Sequence, residues 1–181
     1  MRIAAWALAL VLVPSLAAAS APLTPAQVIA LVKATPQLKI DKSVPPSLGF
    51  DPKTHPFVDV VGTREGQTIG GYLASEDARQ GTLTSGFVVL AVPLDSGGSG
   101  GVFTQLVFAR RGSVPFFYAG HIDSGGHLDV RFKNGAIVAT LPYYRANDPN
   151  CCPSKMIVQT YTIRDNKLHR ISQRMMPTPK P

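Results

Sequence analysis

Residues 127–141 read HLDVRFKNGAIVATL, a sequence that predicts a β-hairpin. Apolar and polar residues alternate up to Phe132, as in a strand with one buried face. Asn134-Gly135 is the pair most favoured in a two-residue hairpin turn. Counting outward from this turn pairs apolar residues on a single face: Phe132 with Ile137, Val130 with Ala139, and Leu128 with Leu141. Turn chemistry and hydrophobic pattern therefore predict the same register.

Apolar segments on both sides of this hairpin predict further strands joined by short turns. Residues 87–92 are apolar on both faces, as in a central strand, and Pro93 is expected to end it. We predict a mainly β fold, an antiparallel meander of about seven to nine strands with one short N-terminal helix. The short connections favour a curled sheet or a partly closed barrel over a sandwich. The other predicted strands are residues 57–63, 68–73, 102–110, 114–122, 156–163 and 168–173.

The last predicted hairpin turns at Asp165-Asn166 and raises a problem of register. A two-residue turn places an apolar residue opposite a charged one: Ile163 pairs with Leu168, but Tyr161 pairs with Arg170. A β-bulge or a longer loop is therefore expected in this hairpin.

Residues 1–20 predict a Sec-type signal peptide. Arg2 supplies a positive charge, the apolar run that follows is too short to span a bilayer, and Ala17-Ala18-Ala19 offers a cleavage site. No cysteine lies near that site, so there is no lipobox. We therefore expect a secreted or periplasmic protein whose mature chain has no transmembrane segment.

The rest of the chain divides into three predicted segments. Thr24, Pro25 and Gln27 form a helix start with a capping box, so one short helix is expected, ending near Ala34. A proline-rich connector follows this helix. The predicted boundaries are residues 21–56 for the helix and connector, 57–174 for the antiparallel β domain, and 175–181 for a frayed tail.

The chain is basic, with 18 Lys and Arg against 11 Asp and Glu in 181 residues. Residues 1–20 contribute only Arg2, so the mature balance is 17 to 11, a net charge of +6. Such a surface favours an anionic partner, and we expect an anionic cell-wall polymer or a membrane surface. No dense Lys/Arg cluster with interleaved aromatic residues is present, so nucleic-acid binding is not predicted.

The only two cysteines, Cys151 and Cys152, are adjacent. An oxidising compartment favours a vicinal disulfide between them. A trans peptide, however, holds adjacent Cα atoms about 3.8 Å apart, closer than an ordinary disulfide prefers. Such a bond would rigidify a turn or respond to redox state, and two thiols are the alternative. Four neighbours are expected to shape this loop: Asp148, Pro149, Pro153 and Ser154.

Metal and catalytic sites are weighed against this structural interpretation. Cys151 and Cys152 with Met175, Met176 or a histidine would suit Cu(I), but no Cys-x-x-Cys or His-x-His spacing supports a site, so no metal or cofactor is predicted. His121 and Asp123, with Ser124 nearby, could perform acid–base chemistry, although a polar strand end explains them equally well. The remaining histidines are scattered, at His55, His127 and His169.

The glycine-rich segment Ser96-Gly97-Gly98-Ser99-Gly100 joins two predicted strands. It resembles a phosphate-binding loop only in composition, because no helix start and no Lys-Ser/Thr pair follow it. A hairpin loop is expected here, and such loops often contact ligands.

Together these features resemble the LppP/LprE family of exported bacterial proteins, over about residues 70–170. The specific element is the string from Asn147 to Ser154, Asn-Asp-Pro-Asn-Cys-Cys-Pro-Ser. The resemblance implies an envelope protein, often a lipoprotein, of no established biochemical activity. This chain departs from the family in lacking the lipobox cysteine and in having few carboxylates at residues 75–79.

We therefore predict a β-rich envelope protein that acts as a binding or structural module, with no catalytic residue assigned. The alternative is an extracytoplasmic enzyme, either a thiol–disulfide protein that uses Cys151 and Cys152 or a hydrolase that uses His121 and Asp123. A third candidate, an inhibitor of a wall hydrolase, suits a cationic target poorly because this protein is itself positive.

Overall fold

The computed structural model describes residues 21–45, 49–61, 69–97, 101–124, 126–149 and 152–178. The predicted signal peptide and the segment that joins the predicted strands 57–63 and 68–73 lie outside these ranges. The described elements are one α-helix, one 3-10 helix and eleven strands. Their bounds are α1 Pro25–Lys33, β1 Leu38–Ile40, β2 Phe57–Val60, β3 Ile69–Leu73, the 3-10 helix Ser75–Asp77, β4 Arg79–Thr82, β5 Phe87–Asp95, β6 Val102–Arg111, β7 Phe117–Asp123, β8 Asp129–Lys133, β9 Ala136–Tyr143, β10 Lys155–Arg164 and β11 Lys167–Pro177.

The strands form two antiparallel sheets. The seven-stranded sheet has the order β1-β2-β3-β5-β6-β7, and β4 pairs with β5 beside this path. The four-stranded sheet has the order β11-β10-β9-β8. The prediction of a mainly β, antiparallel fold with one short helix is confirmed. The two sheets are not closed into a barrel, so the curled or partly closed barrel is not confirmed.

Strands β5 and β6 are covered on both faces, as the apolar run of residues 87–92 predicts. One core cluster joins them to the four-stranded sheet and includes Val89, Val107 and Ile137, each fully buried. The other lies on the side of α1 and includes Val28 and Phe108, also fully buried. Sandwiching these strands between two cores removes most of their apolar surface from water.

The helix α1 forms as the sequence predicts. The Thr24 hydroxyl accepts from the Gln27 N–H, and the Gln27 amide oxygen accepts from the Thr24 N–H, which completes the capping box. Val28 and Val32 face the core. In the described residues no helix is long and apolar enough to cross a membrane.

The hairpin of β8 and β9 has the predicted turn. Asn134 and Gly135 have φ angles of +51° and +66°, as a two-residue turn with two left-handed residues requires. Two predicted facing pairs are confirmed, Phe132 with Ile137 and Val130 with Ala139. The third is not formed, because Leu128 precedes β8 and its N–H donates to the Val102 carbonyl at 2.8 Å.

The hairpin of β10 and β11 contains the expected bulge. Near the turn Tyr161 is paired with Arg170, and the register then shifts so that Thr160 pairs with Ser172. The extra residue on β11 is Ile171, whose side chain is exposed. The bulge realigns the strand, so that Gln173 pairs with the buried Gln159.

The prediction that Pro93 ends the central strand is wrong, because β5 continues to Asp95. Pro93 lies where β5 changes partner, after the last pairing with β4 at Ala91 and before the pairing with β3 at Leu94. Its carbonyl accepts from the Ala74 N–H at 3.1 Å. The N–H and C=O of a strand residue point to the same side. The N–H that proline lacks would therefore have pointed between the end of β4 and the start of the pairing with β3.

Two predicted boundaries also differ from the structure. Residues 175–177 are not a frayed tail, since β11 continues through Pro177, which pairs with Lys155. The connector begins with the strand β1, which pairs with β2.

Candidate anion-binding face

The positive charge of the chain is concentrated in its second half. Residues 21–124 contain eight Lys and Arg and eight Asp and Glu, whereas residues 125–181 contain nine and three. All of the excess charge of the mature chain therefore belongs to the segment that forms the four-stranded sheet.

The outward face of this sheet carries much of that charge. Alternate residues of each strand turn to opposite faces, and the inward set includes Val130, Ala139 and the buried Gln159. By register the outward set places Arg131 in line with Thr160, and Arg174 in line with Val158. We call this outward surface the basic face; its cations are Arg131, Lys133, Arg164, Arg174 and, opposite Arg164 at the turn, Lys167.

Among the residues that the structure describes, a single acidic side chain lies on the basic face. Asp129 accepts from Arg131 at 2.6 Å on one carboxylate oxygen and from Arg79 of β4 at 3.2 Å on the other. Asp129 thus neutralises Arg131 and links the sheet edge to β4. Within the described ranges Lys133, Arg164 and Arg174 have no acidic partner within 4.0 Å.

The basic face has the size of an extended binding surface. Neighbouring strands lie about 4.8 Å apart, so four strands span about 14 Å. Arg174 is opposite Val158, which places it about 20 Å along the sheet from Arg164. The half-buried Thr140, Thr160 and Thr162 lie between these cations and can donate or accept hydrogen bonds.

A second polar group, the His121 cluster, lies at the edge strand β7. The Thr104 hydroxyl donates to Asp123 Oδ1 at 2.8 Å, and Asp123 Oδ2 lies 3.2 Å from His121 Nε2. His121 Nδ1 lies 2.9 Å from the Tyr118 hydroxyl. The structure thus brings His121 and Asp123, which were predicted from the sequence, together with Thr104 and Tyr118, which were not.

A β-bulge explains why Tyr118 belongs to this cluster. In a regular strand, residues 118 and 121 would face opposite sides. The register of β6 and β7 shifts at this point, so that Phe108 pairs with Tyr118 while Val107 pairs with Gly120, whose φ is +140°. A glycine inside a strand is the sequence signal that could have predicted this bulge.

The His121 cluster does not provide a free catalytic base. Both ring nitrogens of His121 contact other side chains. Burial, and next the charge of Asp123, raises the pKa of Tyr118 well above its usual range, so its phenol stays protonated. The nearby Ser124 is not part of the cluster; its hydroxyl accepts from the Gly126 N–H at 3.2 Å.

The loop between β9 and β10 is tied together by Asp148. One carboxylate oxygen accepts from the Arg145 and Ser154 N–H groups, each at 2.8 Å. These backbone hydrogen bonds lower the pKa of the exposed Asp148. The Cys152 N–H donates to the Pro149 carbonyl at 2.9 Å.

The predicted pairing of the two cysteines involves Cys151, which lies outside the described residues, and it stays a prediction. The soft-metal alternative also involves Met175 and Met176. They pair with Ile157 and Met156, and both line a pocket that includes Ser154 at the end of the cysteine loop. Within the described ranges no three His, Cys, Asp or Glu residues are placed to hold a metal ion.

The glycine-rich loop closes on itself where it is described. Gly97 donates its N–H to Asp95 Oδ1 at 2.8 Å, and Ser96 donates to the Gly101 carbonyl at 3.2 Å. The Gly97 N–H is therefore occupied by the loop. Gly98, Ser99 and Gly100 of the predicted ligand loop lie outside the described residues.

Comparison with known proteins gives no name to this arrangement. No family, no curated protein and no solved structure matches the chain. The resemblance to the LppP/LprE family therefore stays a prediction, and the function must be argued from the surface itself.

Proposed function

We propose that this protein binds a linear anionic polymer of the bacterial cell envelope through the basic face, without catalysis. One observation carries the proposal: the excess positive charge lies on the four-stranded sheet, where Lys133, Arg164 and Arg174 have no acidic partner among the described residues. Cations spread along a surface match a repeating anion better than a single small one.

The form of the surface also supports a polymer. The threonines form a strip about 13 Å long between cations about 20 Å apart, and an extended chain lying on this strip could approach cations on both sides. Hydroxyl groups between the cations can bond to sugar or phosphate oxygens. The seven-stranded half of the molecule has balanced charges and no comparable excess.

The proposal is tested by binding of the mature protein to defined polymers. We expect retention on immobilised polyphosphate and on polyglutamate, and none on neutral dextran. Because the cations are exposed, binding should fall steeply as salt rises from about 0.05 M to 0.5 M. Equal binding to dextran, or binding that salt does not weaken, would contradict the proposal. Retention on anionic vesicles but not on the polymers would identify a membrane surface instead.

We further propose that the protein is exported and that Cys151 and Cys152 form a vicinal disulfide. The hydrogen bonds of Asp148 bring Arg145 and Ser154 together at the two ends of this loop, which supports a closed, rigid turn. The intact mass of the secreted protein, with and without alkylation, tests both ideas. Loss of residues 1–20 and no alkylation before reduction are expected; a retained leader or two added alkyl groups would overturn them.

A further inference from the structure

A cavity of about 610 Å³ lies beside the His121 cluster, away from the centre of the basic face. Its walls come from four parts of the chain: the turn after α1, the end of β2, strand β7, and the turn between β10 and β11. The apolar lining is Val60, Val61, Ala119 and Leu168, and the polar lining is Gln37, Tyr118, His121, Asn166 and Lys167. This volume is in the range of small-molecule sites, and the site is an open groove with a lining that is about half apolar and half polar.

The charges around this cavity favour an anion. Lys167 is the cation among the lining residues, and no described acidic side chain lies within 4.0 Å of it. Asp123 is the negatively charged residue of the His121 cluster, and its two carboxylate oxygens already contact Thr104 and His121. A ligand with one negative group could therefore bind at Lys167 while an apolar part contacts Val60 and Val61.

The hydrogen-bond pattern couples such a ligand to the charge of His121. Asp123 Oδ2 lies 3.2 Å from His121 Nε2, and the negative charge of the carboxylate favours the tautomer with the proton on Nε2. In the neutral ring Nδ1 then accepts from the Tyr118 hydroxyl, which leaves Tyr118 no proton to donate to a ligand. Protonation of His121 turns Nδ1 into a donor, and the Tyr118 hydroxyl can then donate into the cavity.

We propose that this cavity binds a small molecule with a carboxylate group and an apolar body, and that binding takes up one proton at His121. The carboxylate accepts from Lys167 and from Tyr118, and the apolar body lies against Val60, Val61 and Leu168. The proton enters the imidazole of His121 from solvent, and no covalent bond to the ligand is made.

The other groups that face His121 do not provide an alternative proton site. Strand β6 offers Thr104 and Leu106, and the turn after α1 and the end of β2 offer Gln37, Val60 and Val61, all without charge. Tyr161 and Arg170 lie beyond Asp123. The pKa of Tyr161 is raised, mainly by burial, so its phenol also stays protonated.

The probe is octanoate, titrated calorimetrically into the mature protein between about pH 6 and pH 8, where the ligand stays ionised. We expect affinity to rise toward low pH, by up to about tenfold per pH unit for uptake of one proton, and a proton uptake that appears as a dependence of heat on the buffer. Octanamide, which has no charge, should bind at least about tenfold more weakly, because the charged contact with Lys167 is missing.

Four variants sharpen the test. Lys167→Gln should weaken octanoate binding about tenfold, whereas Lys155→Gln, at the other end of the sheet, should leave it unchanged. Tyr118→Phe and His121→Gln should both remove the pH dependence. The wild-type buffer dependence needs no variant and decides the coupling even if Tyr118→Phe fails to fold.

Two results would overturn this inference. No octanoate binding near pH 6 would reject the site, and binding with no proton uptake would reject the role of His121. The polymer proposal is tested separately, since Tyr118→Phe should leave polyphosphate binding unchanged. Lys133→Glu with Arg174→Glu, both far from Lys167 on the sheet, should weaken polyphosphate binding and leave octanoate binding unchanged.

Discussion

The two sheets of this protein differ in burial and in charge. The seven-stranded sheet has β5 and β6 covered on both faces, and the segment that forms it has balanced charges. The four-stranded sheet is covered on one face only, and its segment holds six more basic than acidic residues. The first sheet thus supplies most of the buried surface, and the second supplies the exposed charge.

This difference separates stability from binding. Substitutions in the seven-stranded sheet should change the free energy of unfolding, because they remove packed atoms. Substitutions on the basic face should change affinity for anions with little effect on folding, because exposed charges contribute little to stability. The predictions below test that separation, beginning with the largest expected effect.

Substitutions in the core of the seven-stranded sheet should cause the largest loss of stability. Phe108 is fully buried on β6 and makes an edge contact with Tyr118, with ring centroids 5.6 Å apart. Phe108→Ala should lower the free energy of unfolding by about 3–5 kcal/mol. Val158→Ala on the half-buried outward face should cost less than about 1.5 kcal/mol. Urea denaturation measures both, and equal losses would contradict the separation.

The second-largest loss of stability is expected at the contact between the two sheets. A Cβ atom at Gly81 of β4 would meet the ring of Phe132 on β8. Gly81→Ala should therefore lower the free energy of unfolding by about 1–3 kcal/mol. Phe132→Leu in the same chain should recover part of this loss, since a smaller side chain leaves room for the methyl group. A neutral Gly81→Ala would mean that the sheets do not meet there.

The smallest effect concerns the loop between β9 and β10. Asp148→Ala removes the acceptor of two backbone N–H groups and should lower Tm modestly at neutral pH, while Asp148→Asn should lower it less. The pKa of Asp148 is lowered in the folded state, so this stabilisation is present above its unfolded pKa of about 3.9 and is lost as pH falls through the folded value. The Tm difference between wild type and Asp148→Ala should therefore shrink at low pH. A difference that grows there would contradict the role of the carboxylate.

Local signals predicted the parts of this fold that depend on local interactions. The Asn134-Gly135 turn and the capping box at Thr24 are stabilised by neighbours in sequence, and both were predicted correctly. Strand β4, with the sequence Arg-Gln-Gly-Thr, has no hydrophobic pattern of its own and forms only because it pairs with β5. Pro93 likewise remains within β5 because of where β3 and β4 end.

The candidate site shows the same limit. The excess of positive charge is evident from composition, but its location on one sheet face depends on the register of four strands. Likewise His121 and Asp123 share a face by simple alternation, whereas Tyr118 joins them only through the bulge at Gly120. Long-range pairing and bulges are tertiary features, and a single sequence carries weak signals for them.

Matched charge reversal tests the central claim most directly. The basic-face variant carries Lys133→Glu, Arg164→Glu and Arg174→Glu, and the control carries the same change in net charge on exposed residues of the other half, at Lys33, Lys39 and Lys53. Retention on polyphosphate at about 0.1 M salt is measured for both. The basic-face variant should lose binding and the control should keep most of it. Equal losses in the two variants would show that net charge alone, and not the basic face, governs binding.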